Sequence, residues 1–171
     1  MRPRTGLPSL KKSRTRLKSF IEPTPDQYQL ILGSILGDGT LADPYRCGQN
    51  SFTHSFLRIL HSAKQLPYVL WKYNMLADIA TPFHFKLAPD GIRMYFQTHS
   101  HPYFTHLRNI WYPNGTKIFI RSELENLNEL GLAIWFMDDG TSGISKGSPF
   151  GFFCTDGFSY DEQFEIQDFL E

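Results

Sequence analysis

The sequence predicts an α+β fold in which a helix–strand–strand–helix order recurs. Two observations carry this. The first is a pair of apolar helical runs, Ile31 to Thr40 and Leu132 to Thr141, each ending in an acid followed by Gly and Thr. Asp38 and Asp139 stand 101 residues apart, the length of one structural repeat. The second is a set of short alternating segments between the runs, among them a hairpin pattern over Phe83–Ala88 and Ile92–Thr98. Asp90-Gly91 supplies its turn.

In chain order, residues 1–23 read as an extended basic arm. Thr24-Pro25-Asp26-Gln27 opens the first helix: Thr24 caps, Pro25 suits the first turn and Gln27 completes a capping box. Residues 40–46 and 51–59 read as strands with mixed faces. Ser62-Ala63-Lys64-Gln65 reads as a second capping box, opening a helix to about Ile79 with Leu66, Val69, Leu70, Tyr73 and Leu76 on its packing stripe. His101–Trp111 is a third helix, broken by Pro113-Asn114-Gly115. A short turn from Ser122 leads to the second apolar run. Residues 142–155 form another strand pair, loosened by Gly143, Gly147 and Gly151, and Ser159 caps a last helix.

Composition narrows the function. With 171 residues, 41% of them hydrophobic, the chain has enough apolar mass for a real core. No stretch approaches the roughly 18 apolar residues of a membrane helix. Two cysteines, Cys47 and Cys154, suggest no disulfide framework and favour a reducing compartment. The formal charge of zero hides an asymmetry. Seven of the 17 basic residues (Arg2, Arg4, Lys11, Lys12, Arg14, Arg16 and Lys18) lie in the first 20 positions with no acid, leaving 10 against 17 acids elsewhere. Such an arm favours polyanions through counterion release, and it also suits an organellar targeting segment or a solvated tail.

Two helices that each end in a carboxylate and pack side by side would bring Asp38 and Asp139 together. Paired acids repel unless a cation or phosphate ligand lies between them, and carboxylate-held Mg²⁺ is a means of phosphodiester cleavage. Gly33 and Gly37, four apart, allow the first helix a close neighbour.

On these residues the chain resembles the LAGLIDADG homing endonucleases and maturases over about residues 25–171, and is similar to the single-chain members of organellar introns. The segment Trp135-Phe136-Met137-Asp138-Asp139-Gly140 is its more specific motif. The resemblance implies two repeats around a central helix pair: residues 24–121 as the first and 122–171 as a second repeat that stops inside its second helix. It implies Asp38 and Asp139 as catalytic metal ligands for Mg²⁺, with Asp138 as a supporting acid. Lys117 takes the place of a family lysine near the active site, although Ile120 stands where a Pro is expected. The expected activity is site-specific cleavage of double-stranded DNA. The alternative is a noncatalytic RNA-binding descendant, either a maturase or a component of an organellar ribonucleoprotein such as a mitochondrial ribosome. A second chain completing the second repeat is a further expectation, as is an intracellular, organellar location with no membrane partner.

Strand residues Arg46, Arg58, Lys86, Arg93 and Gln97 are expected to contact nucleic acid, because β-ribbons fit the major groove. His99, His101 and His106 lack the spacing of a zinc finger and read as polar residues at a helix start. Tyr68, Trp71, Tyr73, Tyr103 and Trp111, at helical spacing, read as core.

Overall fold

The computed structural model describes residues 22–43, 54–89 and 91–171. The basic arm through Lys18, Arg46 and Cys47 lie outside the described residues. The elements run α1 (Pro25–Leu36), β1 (Thr40–Ala42), β2 (Phe56–Ser62), α2 (Leu66–Met75), β3 (His84–Ala88), β4 (Gly91–Gln97), α3 (Pro102–Trp111), α4 (Arg121–Leu124), α5 (Glu129–Asp139), β5 (Gly140–Ser145), β6 (Ser148–Phe153) and α6 (Tyr160–Leu170).

Helix α1 starts where its capping box requires: Thr24 accepts from the Gln27 backbone N–H, and Gln27 reaches back to the Thr24 N–H. Leu30, Ile31, Leu32, Ile35 and Leu36 are all buried. A helix apolar on every side is a central helix, covered by neighbours all round. One neighbour is α5. An ideal Cβ on Gly33 would lie 3.0 Å from the Ile134 Cβ, so the two helices approach at backbone distance. Gln29 fixes the start of α5: its amide donates to the Asn126 carbonyl at 2.7 Å and accepts from the Asn128 N–H at 2.9 Å.

The first four strands make one antiparallel sheet in the order β1-β2-β4-β3. Leu57, Ile59, Met94 and Phe96 turn to the helices and are buried. Strands β5 and β6 form a separate hairpin, turned by Lys146 (φ 51°) and Gly147 (φ 84°). Two successive positive φ values suit a tight hairpin turn. Phe153 returns to the core against Trp135, 4.6 Å between ring centroids.

Several expectations are corrected. Residues 44–46 and 51–53 of the expected strands 40–46 and 51–59 lie outside the described residues; within them β1 is Thr40–Ala42, and β2 is Phe56–Ser62, running past 59 because it pairs with β4 as far as Arg93. The Ser62 box is not a box: Ser62 caps only a 3₁₀ turn, Ala63–Gln65, and the Gln65 side chain goes to His61 instead. Helix α2 begins after it, ends at Met75, and buries Val69 and Lys72, with Leu76 just past its end. Leu66 and Leu70 are exposed. In the last hairpin, the glycines do not loosen the pair: Gly147 makes the turn, and the Phe150 ring lies against Gly143. Among the aromatics, Trp111 is fully buried while Trp71 is 39% exposed and stacks on Tyr68. His101 caps α3, its Nδ1 accepting from the Tyr103 N–H.

Candidate active site and nucleic-acid interface

The last turns of α1 and α5 lie together, so Asp38 follows one helix end and Asp139 closes the other. Burial, then the Asp38 charge, raises the Asp139 carboxyl to about 6, with Lys117 opposing. Asp38 is raised as well, first by burial; His61 opposes and Asp138 adds. Two half-buried carboxyls held above their ordinary range are groups that a divalent cation would favour in ionised form.

Lys117 reaches this place from the loop after α3. Its ammonium donates to the carbonyls of Ile35, Leu36 and Gly37 at 3.1–3.3 Å. These are orphan carbonyls at the end of α1, where a cation also suits the helix dipole. Burial lowers the Lys117 pKa, and Asp139 and then Asp38 resist. The residue expected near the two acids is therefore beside them, with its ammonium bonded to a helix end.

Asp138 has a different role from its neighbour. Its side chain is wholly buried. Lys72 Nζ lies 2.6 and 2.8 Å from its two oxygens, and the Tyr68 hydroxyl donates to Oδ1 at 2.8 Å. Lys72 is itself fully buried, also donates to Ser34 at 3.2 Å and sits over the Tyr68 ring. Burial lowers its pKa and Asp138 resists. A buried acid satisfied by an ammonium and a phenol is a supporting element of the helix pair.

His61, on the core face of β2, completes the cluster. Its Nδ1 is 2.9 Å from Gln65 Oε1 and 3.4 Å from Asp38 Oδ2. Burial and Lys72 lower its pKa, which favours the neutral ring. The sequence reasoning missed His61, Lys72 and Tyr68. One signal existed: Lys72 stands three residues after Val69 and four before Leu76, which puts it on the buried stripe of α2.

The other face of the four-stranded sheet carries all of its Lys and Arg residues. Cross-strand partners share a face, and the register pairs Thr40 with Arg58, Arg58 with Gln97, Ser62 with Arg93, and Arg93 with Lys86. Arg58, Lys86, Arg93 and Gln97 therefore stand on one surface, together with His84 and Tyr95. A cleft of about 220 Å³ lies between Asp38 and the Arg93 end of this face; Asp38, His61, Ser62, Gln65, Ile92 and Arg93 line it. The β5–β6 strands carry no charged residue, and Phe150 and Phe152 are exposed on the face away from Trp135.

Residues 28–171 match the model of the LAGLIDADG DNA endonuclease family. The chain belongs to that family. Protein RecA of Mycobacterium gastri is 31% identical over 154 residues, covering 84% of this chain and 35% of that protein. Protein RecA of Mycolicibacterium flavescens is 36% identical over 123 residues, covering 71% and 27%. The chain thus spans about a third of the length of these relatives, and the likeness is to one segment of each. Cytochrome b mRNA maturase bI2 of Debaryomyces hansenii is 24% identical over 168 residues, 92% of this chain and 61% of that protein. Among solved structures, the homing endonuclease I-WcaI bound to its DNA recognition sequence superposes with a TM-score of 0.71 at 22% identity, over 88% of this chain and 68% of that one. That likeness shows the fold: this LAGLIDADG chain has the homing-endonuclease arrangement of helices and sheets. No described helix is long and apolar enough to cross a membrane.

Proposed function

We propose that this LAGLIDADG protein is a divalent-metal-dependent endonuclease acting on a long double-stranded DNA site. One observation carries the reading: two acids with raised pKa values stand at the adjoining ends of α1 and α5, and one of them, Asp38, lines a cleft with Arg93 of the sheet face that also bears Arg58, Lys86 and Gln97. Asp38 and Asp139 would hold the cations, Mg²⁺ in the cell. Bound there, such cations neutralise charge on phosphodiester oxygens and activate water. The chain's own contribution is position. Asp138, clamped by Lys72 and Tyr68, keeps the two helix ends in register. Lys117 fixes the backbone that leads into Asp38. Arg93, lining the same cleft as Asp38, stands where a scissile phosphate would need a cation. The DNA recognition sequence bound to I-WcaI, a protein of the same fold, supports DNA as the partner.

A second reading, RNA binding without cleavage, is supported by the likeness to a maturase over 92% of the chain and by the uncharged strands of the β5–β6 hairpin. One experiment separates them. Select duplex DNA from a randomised library on the full chain, then incubate the selected pool with Mg²⁺ or Mn²⁺. The nuclease reading expects strand cleavage that Asp38→Asn and Asp139→Asn each abolish with binding retained. A chain that selects no duplex yet binds structured RNA, or whose cutting survives both variants, overturns it.

A further inference from the structure

The two helix-end acids have different surroundings. Asp139 feels Lys117 as its strongest cation, whereas Asp38 faces an imidazole. The His61 side chain is 1% exposed and the Asp38 side chain 43% exposed, so the ring forms the inner wall and the carboxylate the mouth of the cleft. His61 Nδ1 and Asp38 Oδ2 are 3.4 Å apart. His61 Nε2 has no hydrogen-bond partner among the described residues, although it is buried, and lies 3.8 Å from Asp138 Oδ1. That gap is too long for a hydrogen bond.

We propose that Asp38 and His61 form a mixed oxygen–nitrogen cation site that prefers a late first-row divalent ion, such as Zn²⁺, over Mg²⁺. The spacing of the two ligand atoms fits as it stands, and a small turn of the ring would bring Nε2 from 3.8 Å into hydrogen-bond reach of Asp138. Two ligand atoms each about 2.1 Å from one ion, at angles of about 90–109°, stand about 3.0–3.4 Å apart. The orphan nitrogen fits too. With Nδ1 on the ion, Nε2 carries the proton and points at a carboxylate that Lys72 and Tyr68 hold in place. A metal-bound histidine ordinarily gives its second N–H to such a group, which fixes the tautomer. Asp138 is itself excluded as a ligand, since Lys72 lies within 2.8 Å of both its oxygens and would sit against the ion. Gln65, whose Oε1 is 2.9 Å from Nδ1 and which lines the cleft, must release that nitrogen and offers a neutral oxygen nearby. Imidazole favours zinc, nickel and copper, while Mg²⁺ takes oxygen ligands. The Asp38 side of the molecule is thereby distinguished from the Asp139 side by the metal it selects.

This deepens the reading of Asp38 as a cation ligand. It is tested on the full chain without nucleic acid, so its outcome is separate from whether the chain cuts DNA. Label the six histidines with ¹⁵N, assign His61 by its loss in His61→Gln, and titrate Zn²⁺ and Mg²⁺ separately, with calorimetry in parallel. The expected result is a Zn²⁺-dependent shift of both His61 ring nitrogens, and a loss of at least tenfold in Zn²⁺ affinity in His61→Gln with Mg²⁺ affinity changed less than about threefold. Asp38→Asn, which keeps the ring and tests the shared site if His61→Gln fails to fold, should abolish the His61 shift at the same Zn²⁺ concentration. His61 nitrogens that stay unmoved while other histidines respond overturn the proposal, as does an unchanged His61 shift in Asp38→Asn.

Discussion

The Asp138 side chain fills the space that any residue larger than glycine would need at position 37: an ideal Cβ on Gly37 would fall 2.9 Å from Asp138 Oδ2 and closer still to its Cβ. The contact joins the end of α1 to the end of α5. Overpacking a site of this kind typically costs about 1–3 kcal/mol. Gly37→Ala and, at the neighbouring crossing, Gly33→Leu should each lower the unfolding free energy by that amount or more, seen as a lower denaturant midpoint. A midpoint equal to the parent's would mean that the helices do not meet at these glycines.

The Lys72–Asp138 pair gives a sharper prediction, because both partners are fully buried. Lys72→Met leaves a carboxylate inside the fold without its cation, which typically costs about 3–5 kcal/mol. Adding Asp138→Ala should recover a large part of the loss, since no orphan charge then remains. Equilibrium unfolding of the two singles and the double closes the cycle. A double mutant as unstable as the sum of the singles would refute the coupling.

Asp139 should make the protein less stable as pH rises. Its folded-state carboxyl is raised to about 6 by burial and by Asp38. A group raised on folding contributes stability that is fully present below its unfolded pKa and is lost as pH climbs through the folded value. Without divalent ions, Asp139→Asn should match the parent near pH 4 and exceed it near pH 7.5. The group is half exposed, so solvent screening limits the gain to roughly 1 kcal/mol. Melting curves across this range check the sign, and a variant less stable than the parent at the higher pH would contradict it.

On the sheet face, Arg58→Ala, Lys86→Ala and Arg93→Ala should each weaken duplex binding and reduce the salt slope by about one. Gln97→Ala, without a charge to lose, should change base preference and leave the slope alone. Fluorescence anisotropy over a salt series distinguishes these outcomes. Three unchanged slopes would place the nucleic acid on another surface.

The sequence made the helix pair legible because close approach leaves a composition mark: glycines four apart and an acid at each helix end. The sheet face was legible in part, since Arg58, Lys86, Arg93 and Gln97 alternate as strand residues do, and the register then puts them on one surface. The start of α2 was not. Ser62 and Gln65 have the spacing of a capping box, but the Gln65 side chain is taken by His61. Lys72 was harder still. A lysine on a helix ordinarily reaches solvent, and what keeps this one inside is an acid 66 positions further along the chain. His61 was hidden for a similar reason, because the strand boundary that turns it inward depends on pairing with β4.

The burial of Lys72 against Asp138 has an evolutionary consequence. The lysine lies on α2 and the acid at the end of α5, far apart in the chain, and each is tolerable inside the fold only because the other is there. Segments exchanged between relatives anywhere between α2 and α5 would therefore inherit a compatibility rule. A donor segment bringing the acid must meet a recipient bringing the lysine, or the hybrid fails at folding.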